Sequence, residues 1–135
     1  MSMPLRRFFL VYAATLLVFL LCDAAWLTTM AAALYRPAIG HLMRTDFAVV
    51  PAVLFYAIYL LGVVVFVIRE ARDAKSAFAR GALFGFVCYA TYDLTNQATL
   101  VAWPWSVTLA DLAWGAFVTG TSSAAGHRIG ARLEP

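Results

Sequence analysis

Residues 8–30 read FFLVYAATLLVFLLCDAAWLTTM and contain one charged side chain, that of Asp23. A helix needs about 20 apolar residues to cross the hydrocarbon core of a bilayer, and this segment is long enough. An ionisable group inside such a helix is costly and marks a place that needs a partner or a role. The segment therefore predicts a membrane-spanning helix that carries a buried acid.

Three more apolar segments follow the first, and turn or charge signals separate them. The breaks contain Arg36-Pro37 with Gly40, a charged cluster at residues 69–75, and Trp103-Pro104-Trp105. Of the 135 residues, 64% are hydrophobic and 13% are charged, whereas soluble proteins have about 25% charged residues. We predict an all-α, four-helix transmembrane bundle that forms a single membrane domain over residues 1–135, with spans at about residues 8–30, 47–68, 78–101 and 105–125.

The first segment also resembles a secretory signal, because Arg6 and Arg7 precede it and Ala31-Ala32-Ala33 follows it as a small-residue cleavage site. Its apolar run is longer than the usual signal core of about 7–15 residues. We therefore favour a membrane span.

The distribution of Lys and Arg predicts the orientation of the helices. Eight of these residues lie at the amino terminus, in the middle loop and in the carboxyl tail, whereas only Arg36 and Arg44 lie on the other side. By the positive-inside rule both termini are cytoplasmic. We expect a multi-pass protein of a bacterial inner membrane whose basic residues anchor helices in the lipid bilayer, and we expect no nucleic-acid binding.

Two more aspartates, Asp93 and Asp111, lie in the third and fourth predicted spans. At about 1.5 Å of rise per residue, all three acids lie roughly 9–12 Å from the outer ends of their helices. Polar residues at three- and four-residue steps form stripes beside them that cannot face lipid. We expect one binding site on these inward faces, built by Asp23, Trp26, Tyr56, Tyr59, Tyr92, Asp93, Asn96, Asp111 and Trp114.

A D-x-x-W pattern occurs twice, as Asp23 with Trp26 and as Asp111 with Trp114. A three-residue step places carboxylate and indole on one helix face, and each indole N–H can donate to a carboxylate or the ring can simply pack.

Two interpretations of the acids are open. In the first, a hydrogen-bonded network only fixes helix register, for about 1 kcal/mol or less per contact. In the second, the acids line a water-accessible pocket, since intramembrane ionisable groups are functional by default and no Lys or Arg lies within the core of any predicted span. We favour binding or movement of a small polar or cationic solute, or of protons, through an outward-facing acidic pocket, in a homo-oligomer or larger membrane complex. The alternatives are a lipid-handling enzyme or accessory and a structural or assembly partner of another membrane protein.

Motifs for catalysis are missing from the sequence. His41 and His127 are not paired at metal-ligand spacing, and Cys22 and Cys88 fall within predicted spans, where a thiol packs as a small apolar group. There is no phosphate-binding loop and no nucleophile motif. We expect no catalytic residue, no metal and no cofactor, and favour a protein that is not an enzyme.

The run YATYDLTNQAT at residues 89–99, with Trp103-Pro104 and DLAWG at residues 111–115, resembles a family of small bacterial membrane proteins, domain of unknown function 2177. The similarity extends through the first D-x-x-W and residues 55–62. The resemblance implies a small multi-spanning membrane protein and no particular activity, so it carries over no catalytic residues.

Overall fold

The computed structural model describes residues 3–133, which fold into helices joined by short turns and contain no strand. This confirms the all-α prediction. Four long helices run through the described residues, and the first and fourth extend well beyond the apolar segments that predicted them.

The first helix begins with α1 (Leu5–Met30) and continues without a break through a π-helical segment (Ala31–Tyr35), the short α2 (Arg36–Ile39) and a 3₁₀ turn (Gly40–Leu42). The predicted break at Arg36-Pro37 is therefore wrong. Pro37 lies in the first turn of α2, where its missing N–H is tolerated. The π segment before it makes wider i→i+5 turns, so the chain stays helical to Leu42.

The remaining helices are α3 (Val49–Gly62), which continues as a second π segment (Val63–Ile68), α4 (Ala74–Thr99) and α5 (Trp105–Arg132). Residues 100–104 form the connection between α4 and α5, so these two helices make a short antiparallel hairpin.

Asp73 caps the amino terminus of α4. Its carboxylate accepts a hydrogen bond from the backbone N–H of Ser76 at 2.7 Å, and the Asp73 N–H donates to the Ser76 hydroxyl at 3.1 Å. The bond from the Ser76 N–H lowers the pKa of Asp73 below its ordinary value of 3.8. This capping box fixes where α4 begins.

A closed set of hydrogen bonds holds the α4–α5 turn. The Gln97 amide donates to the Trp103 carbonyl at 2.6 Å, and the Trp103 indole donates to the Thr108 hydroxyl at 3.1 Å. The Thr108 hydroxyl donates back to Gln97 Oε1 at 2.8 Å. The polar groups of this turn therefore satisfy one another.

Helices α4 and α5 approach closely at glycines. A Cβ atom added at Gly81 would lie 2.8 Å from the Thr119 carbonyl oxygen, and one added at Gly85 would lie 2.7 Å from the Thr119 Cβ. Neither position has room for a side chain, which is the small-residue packing expected where helices meet without water. Helix α5 also packs against α1, so it lies at the centre of the molecule.

The apolar core lies between the amino-terminal half of α1, the second π segment and the middle of α5, and its members include Val11, Phe19, Val64 and Val118. The outward faces of the helices are also apolar, with Leu21, Ile58 and Leu83 each more than 60% exposed. Extended apolar surface of this kind marks contact with lipid or another protein.

Two helices of the described chain, Leu5–Leu42 and Val49–Ile68, are long and apolar enough to cross a membrane by length and composition alone. Helices α4 and α5 have 26 and 28 residues and carry more polar and glycine residues on their buried faces.

Candidate functional site

A pocket of about 420 Å³ opens between the helices at the level of the acids. It is bounded by α1, the first π segment, α3, α4 and α5. Two carboxyl groups and seven aromatic side chains dominate its wall, and the described residues contribute no Lys, Arg or His to it. The lining residues are Asp23, Trp26, Leu27, Tyr35, Phe55, Tyr59, Cys88, Tyr89, Tyr92, Asp111 and Trp114.

Asp23 is 7% exposed and joins three helices. It accepts a hydrogen bond from the Tyr56 hydroxyl on α3 and another from the Trp114 indole on α5, the latter at 3.1 Å. A buried carboxylate needs such donors, because an unpartnered charge in a low-dielectric interior is expensive. The two bonds fix the direction in which this carboxylate faces the pocket.

Asp111 is 9% exposed and is held by a relay of two donors. The Tyr35 hydroxyl donates to Asp111 Oδ1, and the Trp26 indole donates to the Tyr35 oxygen at 2.9 Å. Tyr35 therefore connects the first π segment to α5.

The two D-x-x-W patterns reach across to each other. Trp114 donates directly to Asp23, whereas Trp26 reaches Asp111 through Tyr35. The indole rings of Trp26 and Trp114 also stack, with centroids 4.5 Å apart and planes 7° from parallel. The sequence left donation to a carboxylate and packing open as alternatives. Trp114 does both, whereas Trp26 packs and donates to the Tyr35 hydroxyl instead of a carboxylate.

Asp93 is completely buried, and no described N–H or O–H group donates to either of its carboxyl oxygens. The group within hydrogen-bonding reach is the carboxyl group of Asp111. Two ionised carboxylates both accept and neither donates, so a hydrogen bond between them requires a proton on one of the two.

The predicted site residues fall into two groups. Asp23, Trp26, Tyr59, Tyr92, Asp111 and Trp114 line the pocket, while Tyr56, Asp93 and Asn96 are not part of its lining. Tyr56 and Asp93 still contact its two carboxyl groups. The Tyr59 hydroxyl bonds the Thr119 hydroxyl at 2.7 Å instead of an acid.

Asn96 was expected to help build the site, but it does not line the pocket. Its amide lies within hydrogen-bonding reach of Tyr92, one turn back on α4. Residues at i and i+4 share a helix face, so the two side chains lie beside each other on α4.

Sequence reasoning missed five lining residues, namely Leu27, Tyr35, Phe55, Cys88 and Tyr89. Tyr89 lies four residues before Asp93, so the same-face spacing could have identified it. Tyr35 could not be found in this way. Nine residues separate it from Trp26, which is two and a half turns of a regular α-helix and puts the two on opposite faces. The π segment Ala31–Tyr35 changes that geometry and brings the side chains together.

The mouth of the pocket lies where its lining is exposed. Leu27 on α1 is 44% exposed, Phe55 on α3 is 43% and Tyr92 on α4 is 58%. Helix α3 packs against α1, and the π segment that follows it packs against α4. The opening is therefore framed by α1, α3 and α4.

Metal binding finds no support in this geometry. Among residues 3–133, no group of three or more His, Cys, Asp or Glu side chains could hold a metal ion.

The family model of the predicted membrane proteins called DUF2177 matches residues 8–128 of the chain. No curated protein and no solved structure matches the chain. The recognisable relatives therefore carry a membrane assignment and no stated activity.

Proposed function

We propose, from the premise that the chain belongs to the DUF2177 family of predicted membrane proteins, that it binds a small organic cation in the acidic pocket. In this proposal the four helices cross a bacterial inner membrane with both termini cytoplasmic, and the pocket faces outward. Movement of the solute, as distinct from its binding, would require a homo-oligomer or a larger membrane complex.

The observation that carries the proposal is the combination of charge and aromatic surface in one cavity. Asp23 and Asp111 supply carboxyl groups, and the described lining has no basic side chain to neutralise them. Rings of Trp26, Tyr89 and Trp114 surround the same space. The face of an aromatic ring attracts a cation, most strongly when water is excluded. Aromatic walls around a carboxylate suit an alkylammonium group better than a metal ion, which prefers several oxygen ligands.

Helix length and surface support four membrane crossings. At about 1.5 Å per residue, α4 and α5 are roughly 39 and 42 Å long, more than the hydrocarbon thickness of about 30 Å. The residues buried on α4 and most of those buried on α5 are polar or small, while Leu83, Phe86, Leu109 and Phe117 are exposed. The distribution of Lys and Arg supports the orientation.

The experiment uses Cys88, a free half-buried thiol in the pocket wall. In a Cys22→Ser background, the rate of alkylation of Cys88 by N-ethylmaleimide is followed by mass spectrometry in detergent. The probe is benzyltrimethylammonium, and its control is neopentylbenzene, which has the same shape with carbon in place of the charged nitrogen.

We expect the cation to slow alkylation at concentrations about tenfold or more below those of the neutral isostere, which corresponds to about 1.4 kcal/mol or more from the charge. Asp23→Asn and Asp111→Asn should remove most of that difference. Asp46→Asn is the matched control, because Asp46 pairs with Arg44 on the surface with 78% of its side chain exposed. Equal protection by cation and isostere, or none by either, would contradict the proposal and leave an assembly role as the better explanation.

A second candidate function, the handling of a single-chain lipid or other amphiphile, is favoured by an apolar groove beside the pocket. The groove has a volume of about 470 Å³ and lies between α4 and the helix formed by α3 and the π segment that follows it. It shares Tyr59 with the pocket wall. Its other lining residues are Ile58, Leu61, Gly62, Val65, Phe66 and Phe84. In the same assay, dodecyltrimethylammonium should then protect Cys88 far better than tetramethylammonium, whereas similar protection by both would favour a small solute.

A further inference from the structure

We propose that the Asp93–Asp111 pair holds one exchangeable proton, which leaves for water when a cation enters the pocket beside Asp111. This inference rests on the proposed cation binding and adds an exchange reaction to it. The net charge of the site then stays the same, because one positive charge enters as one leaves.

Asp93 is fully enclosed by the protein. The side chain has no exposed surface, and the described chain offers neither of its oxygens an N–H or O–H donor. Buried polar groups in proteins are almost always hydrogen-bonded, and a buried carboxylate is too costly to persist unless a proton or another positive charge lies close to it. In the empty pocket, a proton between Asp93 and Asp111 meets this need.

The described groups that surround the pair carry no positive charge. Two carboxylates in contact cannot both ionise without strong repulsion, and such pairs share one proton. The described groups that face the pair offer no Lys, Arg or His to relieve that repulsion. They are Asp23 on α1 with Tyr56 of α3 bound to it, Tyr35 on the first π segment, and Tyr89 and Tyr92 on α4. Asp23 adds a further negative charge, so the proton is the available counter-charge in the empty site.

The position of Asp111 determines the path of the proton. Asp111 lines the pocket, whereas Asp93 is sealed away from it. A proton therefore leaves the pair through Asp111. A cation that arrives beside Asp111 supplies the positive charge that the proton had supplied, and the proton passes to water in the pocket. The two ligands compete for the same negative charge, although they occupy different atoms.

The experiment has a part that does not need a ligand. A shared proton gives the carbonyl stretch of a protonated carboxylic acid in the infrared spectrum of the purified protein near neutral pH. We expect this band in the wild type and in Asp46→Asn, and its loss in Asp93→Asn and in Asp111→Asn. Absence of the band in the wild type, or its persistence in both pair variants, would overturn the inference.

The second part measures exchange with benzyltrimethylammonium in a weakly buffered solution that contains a pH indicator. We expect about one proton released per cation bound in the wild type and none in Asp93→Asn. In the range where the pair is protonated, affinity for the cation should fall about tenfold for each unit by which the pH is lowered, as linkage to a single proton requires.

The outcomes separate the two proposals. Cation binding without proton release overturns the exchange and leaves the proposed function intact. If no cation binds, both the proposed function and the exchange fail, and the infrared band alone then decides whether the pair holds a proton.

Discussion

Replacement of Gly85 by Ala tests the packing that positions the site. Gly85 lies on α4 where it meets α5, and an added Cβ would lie 2.7 Å from the Cβ of Thr119. Thr119 also holds the hydroxyl of Tyr59, which lines the pocket. Any shift of α5 that relieves the clash therefore moves the pocket wall.

Two terms of opposite sign determine the size of the effect. Overpacking of a filled interface costs about 1–3 kcal/mol, while Ala in a helix interior is favoured over Gly by about 0.5–1 kcal/mol. Gly62→Ala is the matched control, since its Cβ would lie 3.4 Å from the Phe84 ring, an ordinary contact. The helix-propensity term is common to both variants. Their difference in free energy of unfolding should therefore equal the packing cost of about 1–3 kcal/mol.

The assay follows helical content by far-UV circular dichroism during unfolding in mixed micelles with increasing sodium dodecyl sulfate. We expect Gly85→Ala to be less stable than wild type and Gly62→Ala to be equal or more stable. The reasoning is refuted if Gly85→Ala is as stable as Gly62→Ala, because α4 and α5 then do not make the close approach described.

Other substitutions probe single groups. Tyr35→Phe removes the donor to Asp111 and the acceptor for Trp26, so the free energy of unfolding should fall by about 1–3 kcal/mol; an unchanged value in the same assay would mean that this relay is not formed. Asp73→Asn tests the cap of α4. Because the Ser76 N–H lowers the pKa of Asp73 below 3.8 in the folded state, its contribution is present above that ordinary value and is lost as pH falls through the lower folded pKa. The neutral Asn cap should remove this part of the acid sensitivity, measured as melting temperature above and below pH 3.8, and equal acid sensitivity in both proteins would contradict it.

The helices could be predicted from the sequence because long apolar segments separated by charge or by Trp-Pro have few other solutions. The meeting of Asp23 with Asp111, and of Asp93 with Asp111, also followed from simple counting. A constant rise per residue and alternating chain direction bring acids at similar distances from one end to a common level. These inferences need only regular geometry.

The details of the site depend on departures from regular geometry. Tyr35 holds Asp111 only because the chain widens into a π segment, and no periodic pattern signals that change. Asn96 was expected in the site, yet it does not line the pocket and lies beside Tyr92 of its own helix, a choice between neighbours that spacing alone does not decide. The cross-over of the tryptophans is likewise a matter of side-chain direction.

The widened turn at Ala31–Tyr35 sets the angular position of everything beyond it in the first helix. In a regular helix one residue corresponds to a rotation of about 100°, so adding or deleting a single residue there would swing Tyr35 away from Asp111 while leaving α1 untouched. The carboxyl-terminal end of this helix can thus be reoriented independently of the core. Differences of one residue in the length of this turn would give related chains a different donor at the same acid.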